Sequence, residues 1–198
     1  MPNALCALAA VVACIAAIPA ASARTTGTIT YVVDPNHTYP SFEADHMGMS
    51  TWRGKFDKSS GTIAMDRAAG TGTINIQVET DSVEFGLAQM DKVAKSKDLL
   101  DTAKYPTASF KGKLEGFDKD GIPARAVGTL QLHGVKKPVT FEIHKFKCMP
   151  HPIFKRDWCG ADAVTTINRE EFGMDTGKAY GFDMSVELRV QVEAIAVE

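Results

Sequence analysis

The segment 182–194 constrains the fold of this chain most, because apolar and polar residues alternate through it without interruption. A period of two gives a β-strand one apolar face and one hydrated face. At about 3.3 Å per residue such a strand spans roughly 43 Å, about twice the usual strand length. Strands this long and one-sided fit a bent barrel better than a flat sandwich. The apolar positions are Phe182, Met184, Val186, Leu188, Val190, Val192 and Ala194.

Shorter segments repeat this alternation at 74–79, 130–133 and 139–144. Residues that favour turns, chiefly Asp, Asn, Ser, Gly and Pro, separate the alternating segments. These turns are predicted at 34–36, 58–61, 118–121 and 133–134. Strands joined by turns at this spacing predict an all-β fold, an antiparallel barrel of meander type.

One segment, 87–97, departs from the strand pattern, since it contains good helix formers and no Gly or Pro. Pro106 disfavours helical geometry at Tyr105, so helical structure ends before that residue. We expect a short helix inserted between two strands, where it caps one end of the barrel. Its apolar face consists of Leu87, Met90, Val93 and Ala94.

The N-terminal segment has the pattern of an export signal. Residues 5–18 are almost purely apolar, and a small-x-small cleavage pattern ends at Ala23. We expect residues 1–23 to be a cleaved signal peptide and residues 24–198 to form one barrel domain in the periplasm. Two alternatives are a retained membrane anchor and lipidation at Cys14. A retained anchor is the weaker fit, because the apolar run is shorter than the roughly 20 residues of a membrane span.

Charge and hydropathy restrict the partners that this chain can have. The sequence holds 22 basic and 24 acidic residues, a formal net charge of −2, with no long run of either sign. Nucleic acid binding needs a basic face, and none is visible. After residue 23 no apolar stretch is long enough for a membrane span.

Two cysteines, Cys148 and Cys159, remain after the predicted cleavage. One pair in an exported protein usually forms a disulfide, which here closes a short loop and stabilises the fold by about 3 kcal/mol. The alternative is a metal site that adds His151. That set supplies three ligands at a spacing that matches no common zinc pattern, so we expect the disulfide and no metal.

Four segments, in order along the chain, resemble signatures of the YceI-like family of periplasmic lipid-binding proteins. Residues 46–56 are similar to its His-x-Gly-x-Ser…Gly-x-Phe strand pair, and residues 98–110 contain its Tyr-Pro junction. Residues 128–139 are similar to its Gly-x-Leu-x-Leu-x-Gly-Val-x-Lys-Pro-Val hairpin, and residues 167–174 to its Arg-x-x-Phe-Gly motif. The chain departs from the family at Val93, where the family often has a histidine.

The resemblance implies an extended lipocalin-like barrel that holds a polyisoprenoid, such as an isoprenoid quinone or polyprenol, or a fatty amphiphile. It also implies a carrier rather than an enzyme, a possible homodimer, and no cofactor besides the lipid. From the residues alone, side chains that fill a narrow barrel are the better interpretation, and the resemblance is what favours side chains that line a tunnel. We therefore keep open a stress-related interaction protein with a filled barrel.

The candidate lining residues are large apolar side chains that a polyisoprenoid slot requires. They are Phe42, Met49, Trp52, Phe56, Phe85, Leu99, Leu100, Tyr105, Phe110, Phe172, Met174 and Phe182. A polar head group at the mouth would meet His46, Arg169 or the Tyr105 hydroxyl. Each residue also has an ordinary structural interpretation, as core packing or as a hydrogen bond within the barrel.

Signatures of common catalytic sites are missing from the sequence. It contains no Gly-x-Ser-x-Gly elbow, no His-Glu-x-x-His and no phosphate loop. The five histidines show no metal-ligand spacing. We expect no catalytic residues, and an enzyme that acts on an isoprenoid through His46 or Tyr105 is the weaker hypothesis.

Overall fold

The structure is a computed structural model that describes residues 27–197. The predicted signal peptide, its cleavage site and Cys14 lie outside the described residues. The strands of the described range are β1 (Ile29–Val33), β2 (Tyr39–His46), β3 (Ser50–Phe56), β4 (Ser59–Asp66), β5 (Thr71–Glu79), β6 (Val83–Glu84), β7 (Thr107–Glu115), β8 (Arg125–Leu132), β9 (Val135–Pro150), β10 (Asp157–Asn168) and β11 (Ser185–Ala196). One α-helix, α1 (Ala88–Lys95), lies between β6 and β7. Within residues 27–197 there is no helix with the length and hydropathy to cross a membrane.

These strands form one antiparallel sheet that closes on itself. The ring runs in the order β1, β4, β5, β7, β8, β9, β10 and β11, and pairing of β1 with β11 closes it. The long strand β11 pairs with β1 near its C-terminal end and with β2 over Val186–Gln191. Strands β3 and β6 continue from β2. The predicted all-β, extended antiparallel barrel with a helical insertion is confirmed.

Strand β11 has the predicted alternation but begins at Ser185, three positions after the predicted start. A 3-10 turn ends at Gly181, whose φ of 85° is left-handed. The Asp183 carboxylate then accepts a hydrogen bond from the Ser185 N–H at 2.8 Å, which turns the backbone before the strand. Phe182 therefore lies in the connection that precedes β11.

The predicted turn at 58–61 is wrong in its extent, because β4 already begins at Ser59. The buried Ser59 hydroxyl donates a 3.0 Å hydrogen bond to the Thr38 carbonyl, which holds this end of the strand in place. The connection is therefore confined to the two residues before Ser59. The turn at 133–134 joins β8 to β9, and both residues have positive φ, as a two-residue hairpin turn requires.

Helix α1 lies inside the predicted range but is shorter than predicted. The Asp91 carboxylate accepts the Phe85 N–H at 2.7 Å and so ties the helix to the end of β6. The extended backbone of Ser96, with ψ of 163°, ends the helix well before Pro106. The turns that follow are held by hydrogen bonds from Leu100 and Thr102 back to the last turn of the helix.

A disulfide joins Cys148 on β9 to Cys159 on β10. The two residues are directly opposite each other in the ladder, with their Cα atoms 4.0 Å apart. The bridge therefore fixes the register of the two strands beside the hairpin that connects them.

Candidate functional site

The barrel encloses a cavity of about 670 Å³. This volume lies within the roughly 300–1,000 Å³ of sites that hold small molecules. Its wall is almost entirely apolar because the inward positions of the alternating strands face it. Wall residues include Ile63, Ile74, Phe110, Leu130, Phe141, Ile143, Val186, Leu188 and Val190. The inward side chains therefore line a space and do not fill the barrel.

The cavity opens at the end of the barrel that carries α1. Five cavity-lining residues are exposed to solvent, and all five lie on β3, on α1 or in the connection between β10 and β11. They are Trp52, Val93, Thr176, Tyr180 and Asp183. We refer to this group as the mouth. A long ligand therefore has an entrance between α1 and residues 169–184.

An aromatic cluster lies in the cavity wall below the mouth. The Phe42 ring centroid is 5.7 Å from that of Phe56 and 5.4 Å from that of Phe85. Gly54 lies opposite Phe42 in the β2–β3 ladder, and a Cβ at Gly54 would come within 2.5 Å of the Phe42 ring. The glycine thus leaves room for the Phe42 ring to occupy the wall.

Arg169 provides a cation at the edge of this apolar space. It lines the cavity, and its guanidinium donates to the Met174 carbonyl at 2.8 Å and to the Thr176 carbonyl at 2.7 Å. Burial lowers the pKa of Arg169, with Asp175 acting in the opposite direction. Because both hydrogen bonds go to backbone carbonyls, the positive charge is held in place without being neutralised by them.

The closed end of the cavity also carries a polar pair, which no local sequence pattern indicates. Tyr31 lines the cavity, and its hydroxyl donates a 2.8 Å hydrogen bond to the Asp157 carboxylate. Burial raises the pKa of Tyr31, and the bond to Asp157 raises it further. No sequence signal was available, since Tyr31 lies in a run without regular alternation and Asp157 is 126 positions away.

Most of the predicted lining residues lie in the cavity wall. They are Phe42, Trp52, Phe56, Phe85, Leu99, Leu100, Phe110, Met174 and Phe182. The predicted residues Met49, Tyr105 and Phe172 lie outside the wall. Met49 is 72% exposed in the β2–β3 turn.

Tyr105 and Phe172 pack around the β8–β9 turn instead. The Tyr105 ring lies 4.5 Å from the His133 ring, measured between centroids. Nδ1 of His133 is 2.9 Å from the carbonyl oxygen of the fully buried Phe172. These residues help to hold the end of the barrel, and the Tyr105 hydroxyl is not part of the cavity wall.

His46, a predicted head-group residue, lies behind the mouth. Its ring stacks on Trp52 at 4.1 Å and meets Phe182 edge-on at 5.3 Å. Both of these neighbours line the cavity, whereas His46 does not. Of the predicted head-group residues, only Arg169 lies in the wall.

Comparison with known proteins gives one family and one fold. The YceI-like domain family matches residues 31–194. Protein YceI of Escherichia coli O157:H7 is 36% identical over 162 residues, which cover 80% of this chain and 82% of that protein.

Solved structures show the same barrel. BcnA of Burkholderia cenocepacia superposes with a TM-score of 0.66 at 20% identity, covering 81% of this chain and 98% of that chain. A polyisoprenoid binding domain from Saccharophagus degradans, implicated in plant cell wall breakdown, superposes with a TM-score of 0.60 at 15% identity. The match covers 85% of this chain and 99% of that chain. At these identities the likeness concerns the fold.

Proposed function

This chain belongs to the YceI-like domain family, and we propose that it binds a long-chain amphiphile in its barrel and carries or sequesters it in the periplasm. The ligand class is a polyisoprenoid, such as an isoprenoid quinone or a polyprenol, or a fatty amphiphile. One observation carries this proposal: an apolar cavity that runs inside the barrel and opens at one end.

The cavity matches the energetics of such a ligand. Each methylene that leaves water contributes about 0.8 kcal/mol to the binding free energy. A long apolar chain therefore needs an apolar cavity more than it needs polar contacts. The polar groups noted in the wall lie toward its ends, with Arg169 near the mouth and Tyr31 at the closed end. We propose that the apolar tail occupies the barrel and that the head group meets Arg169.

We propose a non-catalytic role. His46, the residue that an enzyme hypothesis needs most, is packed between Trp52 and Phe182 and does not line the cavity. The stress-related interaction protein with a filled barrel is disfavoured by the cavity. The Saccharophagus degradans domain, described as polyisoprenoid binding, supports the ligand class by analogy of fold.

Native mass spectrometry of the exported, purified protein tests the proposal, followed by solvent extraction of any bound species. We expect a stoichiometric isoprenoid or fatty species, and a protein mass that begins at residue 24. The same spectrum reports whether the protein is a homodimer. A lipid-free mass that is unchanged after incubation with quinones, polyprenols and fatty acids would contradict the proposal and favour the interaction protein.

A further inference from the structure

We propose that the hairpin between β9 and β10 docks on the surface of an anionic lipid bilayer. The docking element is the hairpin tip, defined as residues 149–156. It is separate from the cavity, so this proposal does not depend on the identity of the bound amphiphile.

The hairpin tip exposes large apolar side chains to solvent. Ile153 is 77% exposed, Phe154 is 54% exposed and Met149 is 41% exposed. The tip is nevertheless ordered, because the His151 N–H donates to the Arg156 carbonyl at 2.7 Å and the Phe154 ring stacks on His151 at 4.6 Å. The apolar groups are therefore presented outward by a structured turn.

The exposed tip continues into an apolar row on the outer face of the barrel. Val32 pairs with Ile195, Ile195 with Trp158, and Trp158 with Met149, across β1, β11, β10 and β9. Because side chains alternate along a strand, these four face away from neighbours that line the cavity, such as Tyr31 and Cys159. Val32 and Met149 are exposed at the two ends of the row, whereas Ile195 and Trp158 are half-buried and the Trp158 ring packs against His151.

Basic residues lie in and beside the hairpin tip, whereas Glu193 and Asp34 are the next outward-facing residues after Ile195 and Val32 of the row. Residues 144–156 contain Lys145, Lys147, Lys155 and Arg156 and no Asp or Glu, in a chain whose formal net charge is −2. The next acidic residue, Asp157, accepts the hydrogen bond of the buried Tyr31 hydroxyl. Lys145 faces Asp162 at 3.7 Å in an exposed pair, which neutralises little of the local charge.

The exposed apolar side chains of the tip, together with the cations next to them, match the chemistry of an anionic bilayer. Apolar groups enter the boundary between head groups and acyl chains, while Lys and Arg stay at the level of the lipid phosphates. An acidic protein would be recognised by the cations alone and would leave Ile153 and Phe154 without a role. The observations therefore favour the bilayer.

Docking through the hairpin tip determines how the mouth is oriented relative to the bilayer. The tip precedes the start of β10 at Asp157, and Arg169 follows its end at Asn168. Twelve strand residues at about 3.3 Å each separate the two ends by roughly 40 Å. A molecule docked through the tip holds its mouth away from the bilayer, where a soluble partner can reach it.

Co-sedimentation with vesicles tests the proposal on the exported, purified protein. We expect binding to vesicles of phosphatidylglycerol and phosphatidylcholine in equal parts, little binding to phosphatidylcholine alone, and release by salt. Ile153→Ser with Phe154→Ser, and separately Lys155→Gln with Arg156→Gln, should each weaken binding by about tenfold or more. Circular dichroism and the unfolding midpoint show whether each variant is folded.

A matched control removes exposed apolar side chains at the other end of the barrel. Met49→Ser with Leu87→Ser should leave vesicle binding unchanged, since both residues are exposed at the end that carries α1. Loss of binding in this control, or full binding by both hairpin-tip variants, would overturn the proposal. Absence of binding to the anionic vesicles, or binding to immobilised polyglutamate but not to vesicles, would also overturn it.

Discussion

The Tyr31 hydroxyl and the Asp157 carboxylate form a 2.8 Å hydrogen bond that ties β1 to the start of β10. Tyr31 is 1% exposed and belongs to the core cluster, so its hydroxyl has left water and needs this partner. The bond lies at the end of the cavity that is opposite the mouth. The stability of this end therefore depends on one polar pair within an apolar wall.

Replacing Tyr31 by Phe should destabilise the protein by about 1–3 kcal/mol, because the Asp157 carboxylate loses its donor in a partly buried position. Urea unfolding measures the change. Tyr39→Phe is the matched control, since the Tyr39 hydroxyl donates to the Asn36 carbonyl at an exposed site. We expect the control to change stability by no more than about 0.5 kcal/mol. Equal midpoints for wild type and Tyr31→Phe would contradict the role of the bond.

Alkaline pH should weaken the fold through the same residue. Burial first, and then the bond to Asp157, raise the pKa of Tyr31 above its ordinary value of 10.0. The folded state therefore holds the phenolic proton more tightly than the unfolded state does. The resulting stability is fully present below pH 10 and is lost as the pH rises above that value.

Spectrophotometric titration of the phenols checks this expectation. One tyrosine of the wild type should resist ionisation until the protein unfolds, and Tyr31→Phe should lose that resistant fraction. Urea unfolding at increasing alkaline pH should show a steeper loss of stability for wild type than for Tyr31→Phe. Ionisation of every tyrosine near pH 10 in folded wild type would refute the assignment.

The fold could be predicted from the sequence because alternation is a local property. Strand β11 and the inward positions of β5, β8 and β9 follow directly from the period of two. The start of β11 could not be predicted, since it depends on the left-handed Gly181 and on the Asp183 side chain, and neither disturbs the alternation of apolar and polar residues. Alternation shows which residues share a face, and turn geometry decides where a strand begins.

The candidate site was predictable only in part. Phe42, Phe56 and Phe110 lie in the cavity wall, because large apolar residues on inward strand positions must face the interior, and their contact with a lipid stays a prediction. Tyr105 and Phe172 were also predicted as large apolar lining residues, and they pack at the end of the barrel instead. The pair of Tyr31 with Asp157 depends on strand pairing across most of the chain, and no local pattern carries that information.

Gly134 should tolerate no side chain. Its φ is +76°, and a Cβ there would lie 2.5 Å from Cε1 of Tyr105, whose ring packs on His133. Gly134→Ala should therefore cost the backbone strain of about 1–2 kcal/mol plus about 1–3 kcal/mol for the clash. Gly181→Ala is the control, since Gly181 has φ of +85° with nothing within 4 Å of its Cβ position. Thermal or urea unfolding measures the stability of both variants. An equal loss of stability in Gly134→Ala and Gly181→Ala would show that the Tyr105 ring moves aside at no cost.

A larger side chain in the cavity should weaken lipid binding with little effect on the fold. Ala163 lines the cavity on β10, and Leu at this position occupies the space of about three methylenes, each worth about 0.8 kcal/mol to the ligand. Ala163→Leu should reduce affinity for a polyprenol by about tenfold or more. Val164→Leu, on the opposite face of the strand, should bind as wild type does. Binding is followed by native mass spectrometry, and equal occupancy in both variants would exclude the barrel interior as the ligand site.

Arg169 should distinguish ligands by their head groups. Its guanidinium lines the cavity near the mouth and is anchored by two backbone carbonyls. A hydrogen bond to a charged group contributes about 1.5–3 kcal/mol, so Arg169→Gln should weaken binding of a long-chain fatty acid by about tenfold or more. Binding of the alkane of equal length should not change, because it makes no polar contact.

The pair of ligands separates head-group recognition from a merely structural role. If Arg169 only held the mouth in place through its bonds to the Met174 and Thr176 carbonyls, Arg169→Gln would weaken binding of both ligands equally. Arg53→Gln is the control, since Arg53 forms an exposed ion pair with Glu43 on the surface of the β2–β3 ladder. Both ligands are therefore titrated against the wild type, Arg169→Gln and Arg53→Gln. A selective loss of the fatty acid assigns the head group to Arg169, and an equal loss of both ligands assigns Arg169 to the structure of the mouth.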